Sequence, residues 1–289
     1  MKNLIVLGHK SSIAQNFLNL FEKEFNIIKI DYPYLDATKN NYLKKIEKKI
    51  EVRKKYTIIN FIGKMGADDS KKNIEKFLLI NGAFPIIPIL NQENMKIEKY
   101  IFLSSETIYG FGNNLKEENN KNPIHPYGIS KLIAEINIKK TYENLKKKKF
   151  PVVILRVPIV IFNKQKFDNT LTTICNDYHN SSNVEIYGDG KHFRKYIAVK
   201  DLNKIIYMIV NKKLDNKLEI YNIPSIKANS LQILEILKKI FKKKKQIRFI
   251  FSKKNFSLTS NSLKFKKKFK YDINMNLYAL VKKYTLKLL

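Results

Sequence analysis

Tyr127 and Lys131 stand four residues apart in Pro126-Tyr127-Gly128-Ile129-Ser130-Lys131, and Ser105 precedes the tyrosine by twenty-two residues. On a helix, positions i and i+4 share one face. An ammonium beside a phenol favours the phenolate, so the lysine is expected to lower a pKa that is about 10 in a free tyrosine. A tyrosine tuned in this way takes a proton from an alcohol near neutral pH. Taken alone, the pair is also what the exposed face of any helix in a lysine-rich chain would show. Its meaning rests on the elements that position it.

The first of these is at the N-terminus. Leu4-Ile5-Val6-Leu7 is a short continuous apolar run ending at Gly8, as a buried parallel strand requires. His9-Lys10-Ser11-Ser12 then leads into Ile13 to Phe21, whose apolar residues recur at helical spacing. A strand, a tight turn and a helix present backbone N–H groups to a phosphate, and small residues in the turn let the backbone come close. A dinucleotide turn would carry glycine at 8, 11 and 14, and the chain has Gly8, Ser11 and Ala14. Ser11 adds a side chain where phosphates would approach, which predicts weakened binding. A second apolar run, Phe25 to Ile30, ends at Asp31, twenty-three residues after Gly8. A carboxylate there would bind a ribose 2′-hydroxyl and repel a 2′-phosphate, favouring NAD over NADP. Lys10 and Lys29 are close enough in sequence to keep NADP open.

With these residues in view, the chain resembles the extended short-chain dehydrogenase/reductases, in the NAD-dependent epimerase/dehydratase group that acts on nucleotide sugars. Ile58-Ile59-Asn60-Phe61-Ile62-Gly63 is similar to the third strand and the segment along the cofactor, and Asn81-Gly82-Ala83 to the helical asparagine motif. Tyr100 to Gly110 is the most specific segment, because the family carries its catalytic Ser or Thr four residues before this Tyr-Gly, at Ser105. Tyr187-Gly188-Asp189-Gly190 with Arg194 to Leu202 resembles the substrate-domain segment whose arginine contacts the nucleotide phosphates. Glu219 to Pro224 resembles the strand leading back into the C-terminal domain.

The resemblance implies hydride transfer at C4 of a nucleotide-linked sugar. Tyr127 would be the acid/base, Lys131 would tune it and hold the nicotinamide ribose, and Ser105 would bind the same sugar oxygen. Gly8, Ser11, Ser12, Ile13, Asp31, Asn60, Phe61, Ile62, Asn81 and Lys131 would bind the cofactor, and Ser105, Glu106, Thr107 and Arg194 the substrate. Family dehydratases place an acid two positions after the Ser/Thr. That position is Thr107, and Glu106 is one residue too early, so C4 epimerisation or 4-keto-sugar reduction is favoured over 4,6-dehydration. The short span through Leu35-Asp36-Ala37-Thr38 resembles the reductases, whereas the Ser-Ser-x-x-x-Tyr-Gly loop resembles the epimerases. After Arg156 the chain has Ile159 where the family has asparagine, followed by Val160-Ile161-Phe162-Asn163 in place of Tyr-Gly-Pro. The nucleotide base is therefore unassigned, and a non-catalytic NAD-binding scaffold remains an alternative.

Composition bounds the rest. At 289 residues and 44% hydrophobic content the chain can bury one large core or a large and a small one. Cys175 is the single cysteine, which excludes an intrachain disulfide and suits a reducing cytoplasm. His9, His125, His179 and His192 are scattered, so no metal site is expected. The apolar stretch Phe77 to Leu90 is interrupted by Asn81, Gly82, Pro85 and Pro88 and cannot span a bilayer. The net charge of +31, with lysine runs at 146 to 149, 242 to 245 and 266 to 268, would attract polyanions. No aromatic platform is interleaved with it, so a solvated surface is expected rather than specific nucleic-acid binding. The fold expected is α/β, a Rossmann-type doubly wound parallel sheet with a smaller C-terminal substrate domain. Residues 1–162, with 196–222 returning, would bind NAD(P); residues 163–195 and 223–289 would bind the substrate, in a cleft between the two. A homodimer is expected through the helices after Asn73 and Tyr127.

Overall fold

Strands buried on both faces read as unbroken apolar runs, and Leu4–Leu7, Tyr56–Asn60, Tyr100–Ser105 and Val152–Val157 are buried at every position. In the computed structural model, the strands are β1 (Lys2–Leu7), β2 (Phe25–Ile30), β3 (Tyr56–Asn60), β4 (Ile97–Ser105), β5 (Gly112–Leu115), β6 (Val152–Val157), β7 (Ile159–Ile161), β8 (Asn183–Tyr187), β9 (Arg194–Ala198), β10 (Leu218–Asn222), β11 (Ile226–Ala228), β12 (Gln246–Ile250) and β13 (Leu258–Ser260). The principal helices are α1 (Ser12–Phe21), α2 (Pro126–Glu143), α3 (Thr170–Asn180), α4 (Val199–Asn211), α5 (Ser230–Phe241), α6 (Leu263–Phe269) and α7 (Leu277–Thr285). The structure describes residues 1–31, 49–51, 53–146, 150–162, 169–251 and 256–286; Leu35 to Thr38 and Asn163 lie outside them.

The chain divides into two compact units. One comprises Met1–Ile108, Pro123–Arg156 and Asn203–Tyr221; the other comprises Tyr109–Asn122, Val157–Leu202 and Asn222–Leu289. The first unit is built on a six-stranded sheet of order β10-β6-β4-β3-β1-β2. β1 pairs in parallel with β2 on one side and β3 on the other, and β3 pairs in parallel with β4. Strand order therefore reverses between β1 and β3, the switch point at which doubly wound sheets open a crevice beyond their carboxyl ends. The core of this unit joins Ile5, Leu7, Ile58, Tyr100, Phe102 and Ile154 to the inner face of α2, Ala134, Ile138 and Tyr142. Burying an isoleucine such as Ile138 contributes about 1.5–3 kcal/mol relative to leaving it exposed.

Between β3 and β4 the helical pattern is broken into pieces. A short helix at Ile74–Phe77 passes into a π-helical turn at Leu78–Ala83, a 3-10 turn at Phe84–Ile86 and a second short helix at Ile87–Leu90. Pro85 and Pro88 have no N–H for the i to i−4 ladder, which accounts for the irregular run. The second unit has a three-stranded sheet, β11-β9-β7, and two two-stranded ones, β12-β8 and β13-β5. Its core packs Leu171, Cys175 and Tyr178 of α3 against Ile233, Leu237, Leu280 and Tyr284 of α5 and α7. Burial pushes the Cys175 thiol up to about 12, so it is an inert core side chain. Among the described residues no helix is long and apolar enough to cross a membrane.

Candidate active site

The carboxyl end of β4 meets one face of α2. Lys131 Nζ donates to the Leu103 carbonyl at 2.9 Å and Ser104 Oγ donates to Glu135 Oε1 at 2.5 Å, while Ser105, next along the strand, acts electrostatically on the Tyr127 phenol. Tyr127, Lys131 and Glu135 follow at i, i+4 and i+8, one ridge of the helix. Pro126 at the first helical position starts α2, and its missing N–H would have had no partner there. Gly128 sets the approach. A Cβ on it would lie 2.8 Å from the Thr107 carbonyl oxygen and 2.9 Å from Pro123 Cβ, so any larger residue would push the helix off the Ser105 turn.

The electrostatics differ from the expectation that Lys131 lowers the Tyr127 pKa. Desolvation raises the half-buried phenol above its ordinary value, and the neighbouring Ser105 hydroxyl opposes it. The ammonium is instead held by the Leu103 carbonyl and lies 4.9 Å from the centre of the Phe102 ring. Burial brings Lys131 down to about 8, with Glu135 acting in the other direction. Glu135 is itself neutralised by Arg156 of β6. The guanidinium Nη2 and Nε reach its two carboxylate oxygens at 2.7 and 3.1 Å, and both side chains are buried. Glu135 was absent from the sequence expectation, and its signal was an acid four residues beyond Lys131 on the same ridge.

Asn81 ties the loop after β3 to this helix. From the π-helical turn its side chain accepts from the Lys64 N–H at 2.8 Å and donates to the Lys64 carbonyl at 3.0 Å and to Ser130 Oγ at 3.1 Å. Ser130 in turn donates to the Tyr127 carbonyl. A Cβ at Gly63 would come within 3.1 Å of Lys131 Nζ, so this loop runs directly beside the ammonium. Asn60 is occupied within the fold: it donates to the Tyr100 hydroxyl and accepts from the Ile62 N–H, both at 2.9 Å. Phe61 packs on Phe17 of α1, and Ile62 is half-buried.

At the end of β1, Gly8 adopts φ +75°, and a Cβ there would sit 2.9 Å from the Ile62 backbone nitrogen. The close approach that demands glycine is thus to the chain itself. Ser11 corrects the reading of a side chain obstructing phosphate. Its hydroxyl turns onto α1 and accepts from the Ala14 N–H at 3.3 Å, capping the helix. Ser12 and Ile13 form the first turn of α1. Asp31 Oδ2 accepts from the Lys10 N–H at 3.1 Å, and the buried His9 Nδ1, without a hydrogen-bond partner, lies 3.9 Å from it. A helix N-terminus, a carboxylate and a buried unsatisfied nitrogen at one turn form a donor set that fits the pyrophosphate and ribose of a dinucleotide.

Glu106 is buried directly after Ser105, in the 3-10 turn Glu106–Tyr109. Thr107 lies in the same turn and contacts Ser105 through both its N–H and its hydroxyl, at 3.2 and 3.0 Å. His125 is the N-cap residue of α2, where its carbonyl accepts from the Ile129 N–H. Arg194 belongs to the second unit. Its guanidinium donates to the Phe193 and Phe256 carbonyls and lies over the Phe256 ring, and burial lowers its pKa. The first unit thus brings Ser105, Thr107, Tyr127, Lys131 and Asn81 together without Arg194.

Residues 5–224 match the model of the NAD dependent epimerase/dehydratase family. A putative UDP-glucose 4-epimerase of Methanocaldococcus jannaschii is 27% identical over 256 residues, covering 81% of each chain. A dTDP-D-glucose 4,6-dehydratase of Dictyostelium discoideum is 28% identical over 162 residues, covering 51% of this chain and 36% of that one. The match spans about a third to a half of the length of the curated dehydratases. Among solved structures, a UDP-glucuronic acid 4-epimerase from Bacillus cereus in complex with UDP-glucuronic acid and NAD aligns with a TM-score of 0.80 over 99% of this chain and 100% of that one. At 18% identity that likeness concerns the fold.

Proposed function

The chain belongs to the NAD dependent epimerase/dehydratase family, and from that premise we propose that it is an NAD-dependent enzyme acting at C4 of a nucleotide-linked sugar, with 4-epimerisation as the leading reaction and 4-keto-sugar reduction beside it. The observation that carries this reading is the convergence of Ser105, Tyr127 and Lys131 where β4 meets α2.

The first unit would hold NAD, which would supply the hydride acceptor and donor. Tyr127 Oη takes the proton of the C4 hydroxyl and returns it. Ser105 Oγ orients that hydroxyl and donates to the phenol oxygen, stabilising its charged form. Lys131 would hold the nicotinamide ribose hydroxyls and keep a positive charge near the proton-transfer site. Gly8, Ser12 and Ile13 would line the pyrophosphate and Asp31 would bind the adenosine ribose, while Asn81 fixes the loop at Lys64. Thr107 is uncharged where a dehydratase would need its acid, which disfavours loss of water from C5 and C6. The dehydratase reading retains one support, the buried carboxylate of Glu106 next to Ser105.

The assembly that fits is a homodimer. Ile129 and Ile136 are exposed on α2, and Ile74 and Leu79 are exposed on the helical segments packed beside it. A second copy would cover this apolar face as a four-helix arrangement. The lone buried Cys175 accords with a reducing, cytoplasmic location.

The test is a panel of UDP-, dTDP- and GDP-linked sugars with their 4-keto forms, read by proton NMR of the sugar and by NADH absorbance. An epimerase inverts C4 with no net absorbance change, a reductase consumes NADH stoichiometrically, and a dehydratase releases a 4-keto-6-deoxy sugar. No turnover and no binding anywhere in the panel would overturn the reading in favour of a scaffold.

A further inference from the structure

Asp31, at the end of β2, has a histidine beside it. His9 Nδ1 lies 3.9 Å from Asp31 Oδ2, is buried, and has no hydrogen-bond partner. That separation is too long for a hydrogen bond but short enough for two charges to act on each other strongly. Backbone contacts fix the turn that carries the imidazole. The Gly8 N–H donates to the Ile30 carbonyl at 2.8 Å, just ahead of Asp31, and the His9 carbonyl accepts from Gln15 Nε2 at 2.6 Å. Asp31 Oδ2 already accepts from the Lys10 N–H at 3.1 Å. An ionised carboxylate has about four acceptor sites, so it can meet a cofactor hydroxyl or an imidazolium as well.

Imidazole is the ordinary side chain that changes charge between about pH 5 and 8. When neutral, His9 does nothing to offset the Asp31 charge, which would then repel the 2′-phosphate of NADP. When protonated, it places a positive charge against the carboxylate and offsets that repulsion. We propose that His9 makes the choice between NAD and NADP depend on pH, with NADP gaining as the imidazole takes up a proton beside Asp31. The proposal rests on the cofactor site described above and adds its regulation, since Asp31 alone would set one preference at every pH near neutrality.

Among the described residues, the other charged groups on the elements around this turn are Lys10, next to His9; Lys29 of β2, paired with Glu22 at 2.8 Å; and Lys64 after β3, paired with Asp69 at 3.3 Å. The first turn of α1 carries no acid.

Two binding measurements test the idea. In the first, fluorescence titrations with NADH and NADPH from about pH 5.5 to 8 give the ratio of the two affinities in the wild type and in His9→Asn. As the pH falls, the preference for NADH should shrink roughly tenfold more in the wild type. The variant is the reference because a phosphate monoester itself takes up a proton near about pH 6, in both proteins alike. In the second, proton NMR follows the four histidines, with His9 identified by its loss in His9→Asn. Linkage is reciprocal, so a cofactor bound tenfold more tightly by the protonated form must raise the midpoint of His9 by about one pH unit. NADPH should produce that rise and NADH should not. A ratio with the same pH dependence in both proteins, or a His9 midpoint that NADPH leaves in place, would overturn the proposal while the cofactor reading stands. If the wild type binds neither dinucleotide at any pH, the cofactor reading fails and the proposal with it. If His9→Asn does not fold, His9→Gln gives the same comparison.

Discussion

Lys131 Nζ donates to the Leu103 carbonyl at 2.9 Å, so the ammonium is anchored to the end of β4 rather than to the phenol four residues before it. The lysine is buried at a cost, and the Ser105 hydroxyl works against the burial that raises the Tyr127 pKa. Each prediction below follows from one such local relationship.

The buried ammonium should make Lys131 a residue that lowers stability. Burial holds it at about 8, against an ordinary 10.5, so between those values the folded protein binds fewer protons than the unfolded chain and stability rises with pH. Below about pH 8 the burial cost is fully present. Lys131→Met is therefore expected to stabilise the fold at pH 7 by roughly 1–3 kcal/mol while abolishing turnover and weakening cofactor binding. The gain should shrink as pH rises toward 10.5. Thermal melts of both proteins across pH 6 to about 10.5 check the sign, and a less stable variant at pH 7 would contradict it.

Glu135 should behave in the opposite way. Glu135→Ala takes away the carboxylate that neutralises the buried Arg156 guanidinium, and about 3–5 kcal/mol of stability should go with it. Urea unfolding should show a lower midpoint at unchanged slope. A loss below about 1 kcal/mol would mean that the pair is solvated in solution.

Tyr127→Phe removes the proton carrier and little volume. Turnover should fall by about 100-fold or more while nucleotide-sugar binding is retained, as measured by calorimetry beside steady-state kinetics. Full activity in this variant would exclude the phenol from the chemistry.

Asp31 receives the Lys10 N–H, and in the proposed cofactor site it would face a 2′-phosphate. Asp31→Ala should narrow the preference for NADH over NADPH in fluorescence titrations, since a repelling charge is removed. If the wild type favours NADPH strongly and the substitution leaves the ratio unchanged, the cofactor assignment is wrong.

The apolar outer face of α2 predicts self-association. Sedimentation at micromolar protein, in salt high enough to screen the +31 charge, should give a dimer, and Ile136→Lys should shift it toward monomer. Monomer alone for the wild type would remove the homodimer.

Strand-building runs, the Gly8 turn into α1 and the Tyr127–Lys131 ridge were legible in the chain because each depends on spacing within one element. Apolar continuity marks a strand buried on both faces, and a step of four marks a helical face, whatever lies opposite. What lies opposite is a tertiary matter. Ser11 was read as an obstruction because its type is visible in sequence and its rotamer is not; only the folded turn directs the hydroxyl onto Ala14. Lys131 was read as the tuner of Tyr127 because neighbours on a helix are predictable, whereas the Leu103 carbonyl that holds it comes from a strand twenty-eight residues earlier. Asn60 was expected beside the cofactor, and only the fold shows that its side chain bonds the Tyr100 hydroxyl and the Ile62 N–H. The same limit hid the Glu135–Arg156 pair, whose partners lie twenty-one residues apart on a helix and a strand. The sequence by itself determined which residues could carry the chemistry and which elements would bear them, because propensity and periodicity are local. The tertiary structure decided which atoms satisfy which buried charges and donors, because that depends on the packing of α2 against β4 and β6.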